Sequence, residues 1–572
     1  MNARAAIAAL ALAAAAATTA SAPIADASAP AQPQHIVLIV ADDLGWNDVG
    51  FHAGASGRTQ VPTPNLDKLA ARGVRLGSYF VQPTCSPTRS SIMTGRHVTH
   101  MGIYQPNLGP DNTRGVPFEL PFLPEQLRAL GFATHAVGKW HLGTFDRRLV
   151  PTGRGFDSFL GYYGGAEDYF SHEAINASDF HFDEGLELRP FMQAAGRYST
   201  HLYAERAVKV IEDFARAKER RDAAATASQR RLRGVGASGG NDRLFLYLSW
   251  QAIHAPDQVP PEYEERFSKT ISDKHRRTVA GMIACMDDAI GNVTAALDAE
   301  GMLDDTLVVF TTDNGGPAAN FNKNMASNWP LRGMKRTLWQ GGVRGTGFVS
   351  GAGLQKRGYT HEGLLHASDW YHTLLSAAAG PTENYAPPLG EGDPPFEPGD
   401  GVDAWHMLST GSSSPRAEVL IEAHPPGEDE GVGQAILARV DDHSLLKLVL
   451  EKGSQAIVPT AEEPATGDGW YESGSDPSLY SHLVQCEQPP PVNAPDFCNA
   501  TRLPCLFNLT ADPCEYHDLS ARLPHELATL MQRLAWYGAR AVPSTTAVLP
   551  MCKDPIGDPT KPLNGSWMPV CL

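Results

Sequence analysis

Residues 35–41 are HIVLIVA and are followed directly by Asp42 and Asp43, and our expectation for the fold begins from this segment. A continuous apolar run of this length is typical of a parallel strand covered on both faces of a sheet. Similar runs occur at residues 133–137, 244–250 and 306–311. Helical patterns at residues 202–214 and 278–297 lie between them. Strands that alternate with helices predict an α/β fold with a parallel sheet.

Polar side chains follow each of these four runs. In such sheets ligands bind beyond the carboxyl ends of the strands, so these side chains are candidate site residues. They are Asp42, Asp43, Lys139, His141, His254, Asp313 and Asn314.

Length and charge limit the classes of protein to consider. The chain has 572 residues, which is too long for one ordinary core and predicts two domains or one large domain with an appendage. Its net charge of −17 argues against a nucleic-acid-binding protein, which needs Lys and Arg to neutralise phosphates. A stretch at 381–398 rich in Pro, Gly and Glu has the composition of a linker, and strand-like segments follow at 418–421 and 445–450. We therefore expect a catalytic domain at 33–400 and a smaller subdomain with a Cys-rich tail at 401–572.

The N-terminus and the cysteines indicate an exported protein. Arg4 precedes an Ala-rich run at 5–17, which is typical of a signal peptide within residues 1–27, although a transit peptide is the alternative. No later apolar stretch reaches the ~20 residues that span a bilayer. Clustered cysteines in an exported chain predict three disulfides of undetermined pairing among Cys486, Cys498, Cys505, Cys514, Cys552 and Cys571. We expect an extracellular, lysosome-like or periplasmic location.

Residues 216–241 form a low-complexity stretch with seven Lys and Arg residues. We interpret it as a flexible, solvated insertion. The alternative is an arm that attracts a polyanionic substrate.

Four oxygen donors suggest a metal site. Asp42, Asp43, Asp313 and Asn314 offer only oxygen ligands, which suit calcium or magnesium better than zinc. Each pair alone is equally typical of capping and Asx turns. Two such pairs, both after apolar strands, favour the metal.

Cys85 is the only cysteine among the first 284 residues. CSPTR at 85–89 precedes a predicted short helix at 90–94 that Gly95 ends. The amino end of a helix favours an oxyanion, whereas the alternative for Cys85 is a buried structural thiol. Cys285, within an apolar helical pattern, is predicted to be buried.

Six motifs occur along the chain: CSPTR at 85–89, MTGR at 93–96, GKWHLG at 138–143, IHAP at 253–256, NWPLRGMK at 328–335 and LFNLTADP at 506–513. Together they resemble the motifs of the type I sulfatases. The resemblance covers residues from about 35 to the C-terminus. Within the family, residues 339–345 (WQGGVRG) resemble arylsulfatase B.

The resemblance implies an alkaline-phosphatase-like fold: a large mixed, mostly parallel sheet sandwiched by helices, with a smaller C-terminal α+β domain that carries an antiparallel sheet. It also implies hydrolysis of sulfate esters, of aryl sulfates and of sulfated sugars such as N-acetylgalactosamine 4-sulfate. A formylglycine-generating enzyme would convert Cys85 to Cα-formylglycine. One calcium ion would be held by Asp42, Asp43, Asp313 and Asn314.

The resemblance further implies the roles of the remaining site residues. One hydroxyl of the hydrated aldehyde would attack sulfur, and loss of the proton from the other would expel sulfate and restore the aldehyde. Arg89 would pair with the hydrate or the carboxylates, and Lys139 and Lys335 would contact sulfate oxygens. His141 would be the base for the hydrate, and His254 would be the acid that protonates the leaving alkoxide.

The residues leave two other functions to consider. One is a phosphodiesterase, phosphatase or phosphonate hydrolase on the same scaffold, for which the Asp, Asp, Asp, Asn set is a poor match. The other is a non-catalytic binder of sulfated glycans, which would not need every one of these groups.

Overall fold

The computed structural model describes most of the chain. The predicted signal segment 1–27 and the predicted linker 381–398 lie outside the described residues. The described ranges are residues 32–53, 59–231, 242–318, 324–379, 399–428, 433–441, 444–451, 484, 486, 490–491, 494–498 and 504–572.

A nine-stranded mixed sheet and a separate two-stranded hairpin form from the first eleven strands of the described chain. These strands are β1 (His35–Ala41), β2 (Val74–Phe80), β3 (Phe132–Lys139), β4 (Ser158–Tyr162), β5 (Glu173–Ala174), β6 (Ala177–Ser178), β7 (Phe180–Glu184), β8 (Arg243–Ser249), β9 (Thr306–Thr312), β10 (Gly347–Gly351) and β11 (Tyr359–His366). The order in the large sheet is β11-β2-β10-β9-β1-β8-β3-β4-β7, and β5 pairs with β6.

The four predicted strands lie side by side at the centre of this sheet as β9-β1-β8-β3. All three pairings among them are parallel. In register, His35 lies opposite both Leu244 and Thr306. Their carboxyl ends therefore meet at one edge, where the predicted site residues follow.

Helices cover both faces of the sheet. They are α1 (Pro64–Ala71), α2 (Cys85–Thr94), α3 (Leu123–Ala129), α4 (Ser199–Arg231), α5 (Pro261–Glu265), α6 (Lys274–Ala299), α7 (Gln340–Val343), α8 (Asp369–Ala379), α9 (Trp405–Thr410) and α10 (Pro524–Gly538).

Alternate residues of β1 enter two different cores. Val37 and Ile39 pack in one core with side chains of α1, α4 and α6. Ile36 and Leu38 pack in the other with side chains of α3 and α8. Each fully buried side chain of this size stabilises the fold by about 1.5–3 kcal/mol. A strand with two buried faces cannot alternate with polar residues, which explains the run HIVLIVA.

The predicted flexible insertion at 216–241 is instead helical up to Arg231, as the second half of α4. Ala, Arg, Lys and Glu residues have high helix propensity, and pairs such as Lys218–Asp222 lie one turn apart on its surface. Such exposed pairs contribute only about 0.3–0.5 kcal/mol each. Residues 232–241 lie outside the described part of the chain.

The C-terminal part carries the predicted antiparallel sheet. Its strands are β12 (Glu418–Glu422), β13 (Gly433–Asp441), β14 (Ser444–Glu451) and β15 (Cys505–Asn508), in that order. Leu530, Leu534 and Tyr537 of α10 pack against it. The predicted fold class is thus confirmed for both sheets.

Three disulfides are present, as predicted, and the structure assigns their pairing as Cys486–Cys514, Cys498–Cys505 and Cys552–Cys571. Cys85 and Cys285 are buried free thiols. Cys285 lies in α6, as expected.

No helix in the described part of the chain combines the length and the apolar character that crossing a bilayer requires.

Candidate active site

The turn that ends β1 supplies the first two carboxylates. Asp42 and Asp43 are at most 1% exposed. Asp43 has a φ of 62°, which turns the chain sharply after the strand. Its backbone N–H donates to Asp313 Oδ1 at 3.2 Å, so the ends of β1 and β9 are joined.

Arg89 links the same two strands to α2. Its Nε and Nη2 both donate to Asp313 Oδ2, at 2.9 and 2.7 Å. Nη2 also lies 3.7 Å from Asp42 Oδ2. Arg89 Nη1 donates to Ser249 Oγ, at the end of β8. Ser249 is not among the predicted site residues; its signal in the sequence is a polar residue near the end of the apolar run LFLYLSW.

Cys85 is the first residue of α2, which begins five residues earlier than predicted. Pro87 does not prevent this, because an amide hydrogen has no acceptor in the first helical turn. The helix ends at Gly95 as expected, with a φ of 70°. Cys85 Sγ lies 3.6 Å from Asp42 Oδ1. Burial raises the pKa of this thiol to about 12 despite nearby Lys139 and Lys335, so the unmodified thiol is a poor nucleophile.

Two ammonium groups contact the carboxylates after β1. Lys139 Nζ donates to Asp42 Oδ2 at 2.5 Å, and both side chains are fully buried. Lys335 Nζ lies 2.6 Å from Asp43 Oδ1. These contacts place one cation beside Asp42 and one beside Asp43, at the carboxyl edge of the sheet.

Two histidines lie near this cluster. His254 Nε2 is 3.7 Å from Asp43 Oδ2, and its Nδ1 is 2.7 Å from the backbone oxygen of Ala255. Because a carbonyl oxygen only accepts, Nδ1 carries the proton of neutral His254. His141 has a φ of 57°, and its buried Nδ1 has no hydrogen-bond partner in the described structure. Burial lowers the pKa of both rings, with help from Lys139 and Lys335.

The carboxylates differ in their electrostatics. Burial, together with Asp313, raises the pKa of Asp42 to about 7. Burial also acts on Asp313, but Arg89 and Lys139 outweigh it and hold the pKa of Asp313 below its ordinary value. The cations around Asp42 therefore do not fully compensate the burial of its carboxylate, whereas those around Asp313 do.

The oxygen donors fit a hard cation. Asn314 Nδ2 donates to Asp43 Oδ1 at 2.7 Å, whereas Asn314 Oδ1 is buried without a hydrogen-bond partner in the described structure. A buried amide oxygen left unpaired is costly, and a bound cation would satisfy it. Cys85 and His254 also lie within the cluster of possible ligands around Asp42 and Asp43.

The structure thus brings nine of the ten predicted residues into one connected set of contacts. The tenth, His141, shows no direct hydrogen bond to them but is close enough for Lys139 and Arg89 to influence its pKa.

Comparisons with known proteins point to one family. The family model described as Sulfatase matches residues 34–381. Arylsulfatase J of Mus musculus is 34% identical over 561 residues, which cover 96% of this chain and 82% of that protein. Arylsulfatase A of Homo sapiens is 30% identical over 523 residues, which cover 89% and 88% of the two chains.

A solved structure has the same fold. Ps i-CgsB in complex with k-i-k-neocarrahexaose superimposes with a TM-score of 0.65 at 22% identity, covering 90% of this chain and 94% of that chain. The more specific resemblance to arylsulfatase B stays a prediction.

Proposed function

Because the chain belongs to the sulfatase family and is a sulfuric ester hydrolase, we propose that it uses a formylglycine made from Cys85 and one calcium ion to hydrolyse sulfated sugars as well as aryl sulfates. The observation that carries this proposal is the position of Cys85. It begins a helix directly beside Asp42, within a cluster of buried carboxylates, lysines and an arginine.

A divalent cation would give the site the positive charge that an anionic substrate needs. Asp42, Asp43 and Asp313 carry three negative charges, which the contacts of Arg89, Lys139 and Lys335 can balance. A calcium ion held by the three carboxylates and Asn314 would add two positive charges, and would polarise the sulfate and the nucleophile. The resulting excess of positive charge is what an anionic sulfate ester requires.

The pKa of Cys85 supports the modification. A thiol that stays protonated in this site offers no reactive anion, and sulfur would bind the sulfuryl group without an easy exit. The hydrated aldehyde supplies an oxygen nucleophile and a second hydroxyl group for the release of sulfate. Its position at the start of α2 adds the partial positive charge of the helix N-terminus.

The side chains around it have distinct proposed roles. Lys139 and Lys335 each present one ammonium group at the mouth of the site, where the oxygens of sulfate would bind. Arg89 holds Asp313 and α2 in place. Neutral His141, with its unpartnered Nδ1, suits a base. His254 would act as an acid after the negative charge of bound sulfate has raised the low pKa of its Nε2.

The proposed substrate is a sulfated sugar, with N-acetylgalactosamine 4-sulfate as the first candidate. Ps i-CgsB, which has the same fold, was solved in complex with k-i-k-neocarrahexaose, and this supports an oligosaccharide as ligand.

The three disulfides support an exported enzyme in an oxidising compartment, where a formylglycine-generating enzyme would act on Cys85. We also propose residues 33–400 as the catalytic domain and 401–572 as the C-terminal subdomain.

The test compares turnover of an aryl sulfate and an aryl phosphate by the purified protein, before and after removal of calcium. We expect sulfate to be hydrolysed much faster, and chelation to abolish the activity. Lys335→Met should lose turnover, whereas Lys356→Met is the control, because Lys356 stacks on Tyr359 away from the site. Faster phosphate turnover would contradict the proposal.

A further inference from the structure

The loop that carries Lys335 is closed on itself at its base. Gly341 N donates to Arg332 O at 2.6 Å, which joins the two ends of residues 332–341. Lys335 lies within this loop, three residues after Arg332, and its ammonium group contacts Asp43. We expect a change at the base to shift the ammonium group relative to the carboxylates.

The base is held by a residue of the cysteine-rich tail. Glu515 Oε2 accepts from the backbone N–H of Gln340 at 2.6 Å. The backbone oxygen of the same Glu515 accepts from Arg332 Nη1 at 3.0 Å. Arg332 Nη2 donates to the backbone oxygen of Cys498, and its guanidinium lies 3.7 Å above the ring of Trp339. One tail residue thus contacts both ends of the loop.

Glu515 is fixed in turn by the antiparallel sheet. Lys447 of β14 donates to Glu515 Oε1 at 2.6 Å, and both side chains are fully buried. The two carboxylate oxygens are therefore divided between Lys447 and Gln340. Glu515 has a φ of 58° and follows Cys514, which is bonded to Cys486. These constraints leave the carboxylate little freedom to move.

We infer that Glu515 is a positioning residue for sulfate hydrolysis: it holds the base of the 332–341 loop so that the Lys335 ammonium points into the active site. A residue of the C-terminal subdomain thereby helps to position a site whose own residues belong to the proposed catalytic domain. This inference rests on the proposed function, because it takes Lys335 to be a contact of sulfate.

The test uses two variants that differ only in the acceptor for Gln340. Lys447→Met combined with Glu515→Gln removes both buried charges and keeps an oxygen for the Gln340 amide. Lys447→Met combined with Glu515→Leu removes the charges and the oxygen. We expect the leucine version to have about tenfold lower kcat/KM and to bind inorganic sulfate more weakly by calorimetry. A tenfold change matches the free-energy cost of leaving one buried N–H group, that of Gln340, without an acceptor.

The decisive step repeats the comparison in a Lys335→Ala background. If Glu515 acts through Lys335, the two versions then bind sulfate equally. An undiminished difference, or equal sulfate affinity and turnover in the presence of Lys335, would overturn the inference. Full turnover by Lys335→Ala alone would instead refute the proposed role of Lys335, and the inference with it.

A control and a substitute complete the design. Arg533→Met with Glu418→Leu removes an ion pair between β12 and α10 of the same subdomain and should leave sulfate affinity unchanged. If circular dichroism shows the leucine version unfolded, Arg332→Lys replaces it, since it weakens the contacts to the oxygens of Glu515 and Cys498. Wild-type sulfate affinity in a folded Arg332→Lys would also count against the inference.

Discussion

Replacement of Arg89 by methionine should destabilise the calcium-free protein strongly. Arg89 donates twice to Asp313, at 2.9 and 2.7 Å, and neither side chain is exposed. Methionine fills much of the same volume but leaves the carboxylate buried without its closest cation. Breaking one partner of such a buried pair costs about 3–5 kcal/mol. We expect a loss of that size in the free energy of unfolding in urea with a chelator present.

Calcium should reverse much of this loss. If Asp313 is a calcium ligand, the bound ion neutralises the carboxylate that Arg89 no longer pairs. Calcium at 100 times its dissociation constant adds about 2.7 kcal/mol to the free energy of unfolding of a protein that binds it only when folded. Because the variant site carries one more uncompensated negative charge, its gain from calcium should exceed that of the wild type.

A matched pair elsewhere provides the control. Arg276 and Asp48 are 2.8 Å apart and equally buried, but neither is a proposed ligand of the ion. Arg276→Met should lose comparable stability with no additional gain from calcium. Urea unfolding of both variants, with chelator and with calcium, decides the matter. An equal gain from calcium in both would refute the assignment of Asp313 to a metal site.

Three further predictions concern the metal, the base and acid stability. Asp313→Ala should lose calcium binding by calorimetry and sulfatase activity while circular dichroism shows the fold intact; wild-type turnover would remove Asp313 from the site. Gly165→Ala should lower kcat, because a Cβ there would lie 2.7 Å from the ring of His141, and an unchanged kcat would show that this ring can move freely. Burial lowers the pKa of His97 to about 3, so this ring stays neutral in the folded protein while the unfolded chain takes up a proton below pH ~6.5. Its effect on stability is absent above that pH and grows as the pH falls toward 3, so between pH 7.5 and 5 the wild type should lose about 2 kcal/mol more than His97→Gln in urea unfolding. An equal loss in the two proteins would contradict it.

The central strands could be predicted from the sequence because a strand that is buried on both faces is apolar along its whole length. Residues 35–41 and 306–311 carry no alternation, and the structure has strands at His35–Ala41 and Thr306–Thr312. The order β9-β1-β8-β3 was not predictable from the runs alone, since neighbours in a parallel sheet are chosen by packing of the crossover helices. That order is what brings Asp313 beside Asp43.

Other features depended on contacts that no local pattern records. The start of α2 at Cys85 was missed because Ser86 and Pro87 resemble a break, although proline is tolerated in a first turn. Residues 216–231 were expected to be flexible from their composition, yet their helix propensity continues α4. The pairing of Lys447 with Glu515 joins residues far apart in the chain, so only the folded structure shows it.

Catalysis by formylglycine is tested by the mass of the peptide that contains Cys85, taken from the protein purified from its native source. We predict that the sulfur has been replaced by an aldehyde oxygen, and that Cys85→Ala abolishes sulfate ester hydrolysis. An unmodified thiol in fully active protein would contradict it.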